Sequence, residues 1–196
     1  MIQRAHTIKL KPNKAQLVLL AKTAGTTRYA YNWGLAKWNE LYENGEKCDP
    51  YMLSRIWTQE RPDWALEVYN GSARKALLNL GGAFKAFFQG FRGRPTFHRK
   101  GQRDSFYVSN DKARLYGSKI RLPNIGRVGM TETLRYEDCK SLSYTVRRKA
   151  DGWYVSICVE IEEERRTDSE SFVGVDVGCT RLRSQATVRA ARSLVV

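Results

Sequence analysis

Apolar residues follow two rhythms along this chain, and the change between them falls near residue 105. Residues 2–10 alternate: Ile2, Ile8 and Leu10 share one face, and Gln3, Thr7 and Lys9 the other. That pattern predicts a strand, although Arg4 and His6 interrupt its apolar face. Pro12 then opens a helix with Asn13 near its start and Leu17, Leu20, Ala21 and Ala24 at helical spacing. Gly25 reads as its stop, and Thr26 or Thr27 as the cap of a second helix that carries Tyr29, Tyr31, Trp33, Leu35, Trp38 and Leu41 and closes at Gly45. A shorter helix is expected from Tyr51 to Glu60, ending before Pro62. The strongest helical pattern covers residues 72–91, where Ala73, Ala76, Leu77, Leu80, Phe84, Phe87, Phe88 and Phe91 form one stripe that reads as core. Gly81-Gly82 lowers helix propensity by about 1 kcal/mol per glycine, which points to another element packing closely there.

From Phe106 onward the period is two. Strands are expected at Ser105–Ser109, Ala113–Tyr116, Lys119–Leu122, Arg127–Met130, Leu142–Arg148 and Trp153–Ile161, with Pro123-Asn124 and Asp151-Gly152 as turns. Glu160 to Ser171 is charged and reads as a linker. Phe172–Gly178 follows, a short β-branched run with Asp176 inside it. A carboxylate in a buried strand is costly without a partner, and a divalent metal is the usual one. The predicted fold class is α+β: an antiparallel β domain interrupted by a helical insertion, because the isolated first strand needs the later ones to pair with.

Charge then narrows the function. The 196 residues contain 34 Lys plus Arg against 20 Asp plus Glu, net +14, which implies a polyanionic partner with nucleic acid first. A membrane partner is not expected, for there is no basic amphipathic helix or long apolar run. The N-terminus has no apolar leader, so an intracellular, cytoplasmic protein is expected. Cys48, Cys139, Cys158 and Cys179 stand singly, which suits reduced thiols and not zinc. With only His6 and His98, histidine-based catalysis is poorly supplied.

Residues 91–106 hold five cations, Arg92, Arg94, Arg99, Lys100 and Arg103, against the single acid Asp104, with Phe91, Phe97 and Phe106 between them. Glycines and Pro95 make this a loop, so its cations are available to phosphates, whereas its phenylalanines are expected to pack against the fold more than to stack on exposed bases. A second set, Lys112, Arg114, Lys119, Arg121 and Arg127, alternates along the strands and can line one sheet face.

Three stretches in order resemble the TnpB (OrfB) proteins of insertion sequences, relatives of the type V CRISPR effectors. The first is Ile8-Lys9-Leu10-Lys11-Pro12-Asn13-Lys14-Ala15-Gln16 with Arg28-Tyr29-Ala30-Tyr31-Asn32-Trp33-Gly34-Leu35, similar to the family's segment labelled helix-turn-helix. The second runs from Ala83-Phe84-Lys85-Ala86-Phe87-Phe88 through Pro95-Thr96-Phe97-His98-Arg99-Lys100 to Ser105-Phe106. The third, Val173-Gly174-Val175-Asp176-Val177-Gly178, is similar to the first motif of a RuvC-like nuclease. The resemblance implies residues 1–10 as the first strand of a wedge-type barrel, 11–95 as a helical recognition insertion and 96–161 as the rest of the barrel. Residues 162–171 would be a linker, and 172–196 the start of a RuvC-like domain.

It further implies a transposase-like protein that binds DNA and a transposon-derived guide RNA, with base pairing reading the target. Asp176 would be the first of the carboxylates that hold two Mg²⁺ ions in the full-length family. The family's later Glu and Asp motifs and its CxxC zinc ribbon have no counterpart here. Residues 179–196 hold four Arg but no Lys, acid, glycine or aromatic residue, as an out-of-frame tail would. The expectation is therefore a truncated family member whose nuclease site is incomplete and inactive. A nuclease-dead RNA-guided DNA-binding regulator is one alternative, and an unrelated basic RNA-binding protein the other. Residues 13–44 have only Lys14, Lys22, Arg28 and Lys37 as cations and many core-like aromatics, so a major-groove recognition helix is not expected. Asn32 is expected to satisfy backbone groups and not to contact a base.

Overall fold

The structure, a computed structural model, describes residues 1–102, 104–136, 139–162, 173–174 and 186–187. It divides into two units, Met1–Ile161 and Glu162–Val196. In the first, strand β1 (Ile2–Lys11) is followed by helices α1 (Lys14–Glu43), α2 (Pro50–Glu60) and α3 (Asn70–Phe88), with a 3-10 turn at Asp63–Glu67. Strands β2 (Ser105–Ser109), β3 (Arg114–Tyr116), β4 (Lys119–Leu122), β5 (Gly126–Met130), β6 (Lys140–Lys149) and β7 (Gly152–Ile161) complete it.

The seven strands form one antiparallel sheet in the order β2-β6-β7-β1-β5-β4-β3. β1 sits in the middle because its length serves two partners. Ile2 to Lys9 pair with β7, and Leu10 and Lys11 pair with Met130 and Gly129 of β5. The expected barrel closure is not found: β2 and β3 remain edges of an open sheet. Inward residues of every strand nevertheless share one core, which includes Ile8, Val108, Ile120, Val128, Val146 and Val155. His6 belongs on that apolar face and is buried there, because its Nδ1 accepts the Arg135 backbone N–H at 3.1 Å. The β6–β7 hairpin forms with Lys149 opposite Gly152, so the two loop residues are Ala150 and Asp151, one position earlier than the Asp-Gly pair suggests.

The sharpest departure from the sequence reading is α1. Gly25 does not stop it, and one helix of 30 residues replaces the expected two. The buried stripe explains this. Leu20 and Ala24 pack into the sheet core, whereas Ala30, Tyr31, Leu35, Trp38 and Leu41 pack into a second core with α2 and α3. Burial on both sides of Gly25 outweighs a glycine penalty of about 1 kcal/mol. Thr23, Thr26 and Thr27 accordingly cap nothing; their hydroxyls donate to carbonyls one turn back. The outer ends follow the sequence: Asn13 and Gln16 make a capping box, and Gly45 terminates the helix at φ +76°.

Close approach fixes the second core. A Cβ on Gly34 would lie 2.4 Å from Leu77 Cδ2, and one on Gly81 would lie 2.6 Å from Pro50 Cγ. Gly34 therefore lets α1 meet α3, and Gly81 lets α3 meet the start of α2, as the Gly81-Gly82 pair suggested. The phenylalanine stripe is only partly core. Phe84 is buried and stacks on Trp38, but Phe88 and Phe91 are 60% and 78% exposed, because α3 ends at Phe88 beyond the reach of its neighbours.

In the second unit, Val173–Gly174 (β8) pairs antiparallel with Ala186–Thr187 (β9). Asp176 and most of the expected Phe172–Gly178 strand lie outside the described residues.

Candidate nucleic-acid interface

The basic loop 89–104 is a strap laid along α1. Arg94 Nη2 donates to Asn39 Oδ1 at 3.0 Å. Asn32 then clamps the His98 backbone from both sides: its Nδ2 donates to the carbonyl at 3.0 Å, and its Oδ1 accepts the N–H at 2.8 Å. The His98 ring lies flat on Tyr31, with centroids 3.9 Å apart. Finally, Arg28 Nη1 donates to Asp104 Oδ1 at 2.6 Å, and Asp104 accepts the Arg148 backbone N–H through its own carbonyl at 2.9 Å. Asn39, Asn32 and Arg28 follow one another toward the start of α1 as the strap advances, so strap and helix run antiparallel. Asn32 satisfies backbone groups, as expected, but in the strap.

This pinning has an electrostatic result. Asp104, the single acid among residues 91–106, is largely buried against Arg28, so the remaining strap cations are left uncompensated by it. Arg92, Arg94, Arg99 and Lys100 are all exposed. Arg103 lies outside the described residues. The strap aromatics divide: Phe91 and Phe97 are exposed, whereas Phe106 is a core residue of β2 and cannot stack on a base.

Replacing Asn32 with alanine removes both hydrogen bonds at the centre of the strap, a cost of about 1–3 kcal/mol. Tryptic cleavage at Arg99 and Lys100 is expected to speed up roughly tenfold, since about 1.4 kcal/mol is a decade in the population of the open strap. An unchanged rate would show that the strap is held by other contacts.

Strap, α1, α3, β2 and β6 surround a groove of about 750 Å³ whose cationic lining is Arg28, Lys75, Arg99, Arg147 and Arg148. Lys75 Nζ sits 5.3 Å from the centre of the Tyr107 ring. The groove shares Thr145 and Arg147 with a second cavity of about 270 Å³ that also takes in Thr7, Lys149, Tyr154 and Ser156. Register explains the continuity. Tyr107, Thr145, Ser156 and Thr7 face one another across β2, β6, β7 and β1, and Ser105, Arg147, Tyr154 and Lys9 form the next row. The end of this track is organised by Asp151, which accepts from Tyr154 Oη at 2.6 Å and Lys9 Nζ at 2.9 Å. The Tyr154 hydrogen bond, reinforced by Lys9, lowers the Asp151 carboxyl to about 2. Lys149 Nζ lies 4.3 Å from the Tyr154 ring centre.

Lys9, Lys75, Arg147, Arg148 and Lys149 were not among the predicted site residues. Strand alternation through the run Arg147-Arg148-Lys149 places Arg147 and Lys149 outward and was the available signal. Lys75 needed the tertiary fold. The other predicted set divides: Arg114, Lys119 and Arg121 are exposed on β3 and β4, whereas Lys112 sits in the preceding turn, 3.3 Å from Asp111. None of these four lines the groove.

Among the described residues there is no group of three His, Cys, Asp or Glu side chains that could hold a metal ion. Asp176, the predicted metal ligand, lies outside them. No helix among the described residues is long and apolar enough to cross a membrane.

Residues 1–47 match a family model of the OrfB IS605 type described as a helix-turn-helix domain. In the structure this stretch holds β1 and the single long helix α1, with no turn between two helices. The chain is also 29% identical over 191 residues to the "Putative RNA-guided DNA endonuclease InsQ" of Escherichia coli (strain K12). The aligned part covers 91% of this chain and 46% of that protein, so the chain spans about half the length of the curated relative it matches. Both matches bear out the resemblance read from the sequence, to the TnpB/OrfB proteins of insertion sequences.

Proposed function

We propose that this chain is a nucleic-acid-binding portion of a TnpB/OrfB-type protein, holding guide RNA and its DNA target without cutting it. The antiparallel sheet corresponds to the family's wedge domain and α1–α3 to its recognition insertion, with Asp176 in the first RuvC-type motif. The observation that carries the reading is the pinned strap. Three contacts from α1 order a loop that would otherwise hold apart its own like charges, and they leave Arg99 on a groove that also takes cations from α3 and β6. That arrangement suits a polyanionic strand, since ordered cations neutralise phosphates with less entropy left to lose. Asp176 alone does not hold two Mg²⁺ ions, and no later carboxylate motif of the family is recognised in this sequence, so on this reading the 196 residues bind without cleaving.

The test is to express the chain with the RNA transcribed from the flanking element, purify it through 0.5 M salt, and add Mg²⁺ and matching target DNA. Retention of a discrete RNA with intact DNA is expected. Failure to retain any RNA would sink the binding reading. Site-specific cleavage that Asp176→Ala abolishes would sink the non-cutting one.

A further inference from the structure

A second basic surface stands apart from the groove lining, on the outward face of β3, β4 and β5. The register sets Arg114 opposite Arg121 and Arg121 opposite Arg127, three guanidinium groups in one row across three neighbouring strands. In the next row Lys119 and Lys11 flank Gly129, which has no side chain to separate them. Strands lie about 4.8 Å apart and alternate residues about 7 Å apart, so five cations on the four neighbouring strands β3, β4, β5 and β1 occupy a patch of roughly 14 by 7 Å. β3, β4 and β5 contain no acidic residue, and among the described residues these five cations make no ion pair. Like charges placed directly opposite on a sheet destabilise it. Folding therefore does not account for the row, whereas a dense polyanion would.

The face also indicates which polyanion. Proteins that grip single strands combine cations with aromatic rings on which bases stack. Here the outward aromatic is Tyr116, and Arg127 lies over its ring at 4.7 Å. What remains is guanidinium and ammonium on an outward sheet face, suited to backbone charge and not to bases. A duplex presents one phosphate charge per about 1.7 Å of its axis, twice the density of either strand. We propose that the β3–β4–β5 face docks the sugar-phosphate backbone of a nucleic-acid duplex, separately from the groove. This deepens, and rests on, the reading of the chain as a nucleic-acid-binding protein.

The test uses the full chain, a 20-nucleotide single-stranded RNA, and 20-base-pair duplexes of DNA and of RNA, with affinity followed against salt. The variant is Arg114→Gln/Arg121→Gln/Arg127→Gln; Lys47→Gln/Arg55→Gln/Lys85→Gln, on the helices and the loop between them, controls for net charge. The three-arginine variant is expected to lose roughly 170-fold in duplex affinity at 0.15 M salt and about 2.7 in the salt slope. Single-strand affinity should change no more than in the control. Its thermal midpoint should match or exceed that of the unaltered chain, since like charges have been removed. An effect on only one duplex type would assign the B-form or the A-form backbone. An unaltered chain that binds neither strand nor duplex overturns the broader reading and this face with it. An unaltered chain that binds both, with duplex affinity no lower in the variant than in the control, overturns the duplex face alone. So does an equal loss on strand and duplex.

Discussion

Changing Arg99, Lys100, Arg147 and Arg148 together to glutamine is expected to weaken single-stranded RNA binding by about 200-fold at 0.15 M salt. The figure follows from counterion release. Each phosphate contact to a single strand contributes a salt exponent of about 0.7, or roughly a factor of four at that concentration. Four lost contacts should also flatten the salt slope by about 2.8. All four side chains are exposed, so stability should move by less than about 0.5 kcal/mol. Filter binding against salt, beside a melting curve, separates the two effects. A loss of affinity with an unchanged slope would mean that these residues act through shape and not through phosphate contact.

Trp57→Ala is the variant expected to damage the fold most. Trp57 is fully buried in the helical core, packs edge-on against Trp33 at 5.3 Å, and donates from Nε1 to Asn70 Oδ1 at 3.0 Å. Truncation leaves a large cavity and a side-chain amide without its donor, at a cost of about 3–5 kcal/mol. Against a typical stability of about 5–15 kcal/mol, that corresponds to a fall in thermal midpoint of roughly 6–20 °C. Because the sheet has its own core, the loss should concentrate in α1–α3. Hydrogen exchange should therefore quicken in the helices before the strands. Uniform quickening would show that the two cores unfold as one.

How much of this was legible in the sequence depends on the range of the interactions involved. Strands β2 and β4 carry the predicted limits, and β6 and β7 depart from theirs by one or two residues, because period-two alternation and its turn residues are local signals. Asn13 and Gly45 were legible for the same reason. Gly25 was misread because the residues that bury α1 on either side of it belong to two different cores, and no local pattern shows that a helix must bridge them. The basic strap was legible as charge, yet its docking depends on Asn32, 66 positions before His98. The groove lining was the least legible. Lys75 and Arg147 come from a helix and a strand 72 residues apart, and only the sheet order brings them to one surface.

The central claim is that the strap and the β2–β6–β7–β1 face form the surface that grips nucleic acid. Ultraviolet crosslinking of the full chain to a 4-thiouridine-substituted RNA, followed by peptide mapping, tests it most directly. Crosslinks are expected at Phe97, His98, Tyr107 and Tyr154, lost in competition with unlabelled RNA. Crosslinks confined to Tyr42, Tyr51 and Phe88 at the far end of the helices would contradict it.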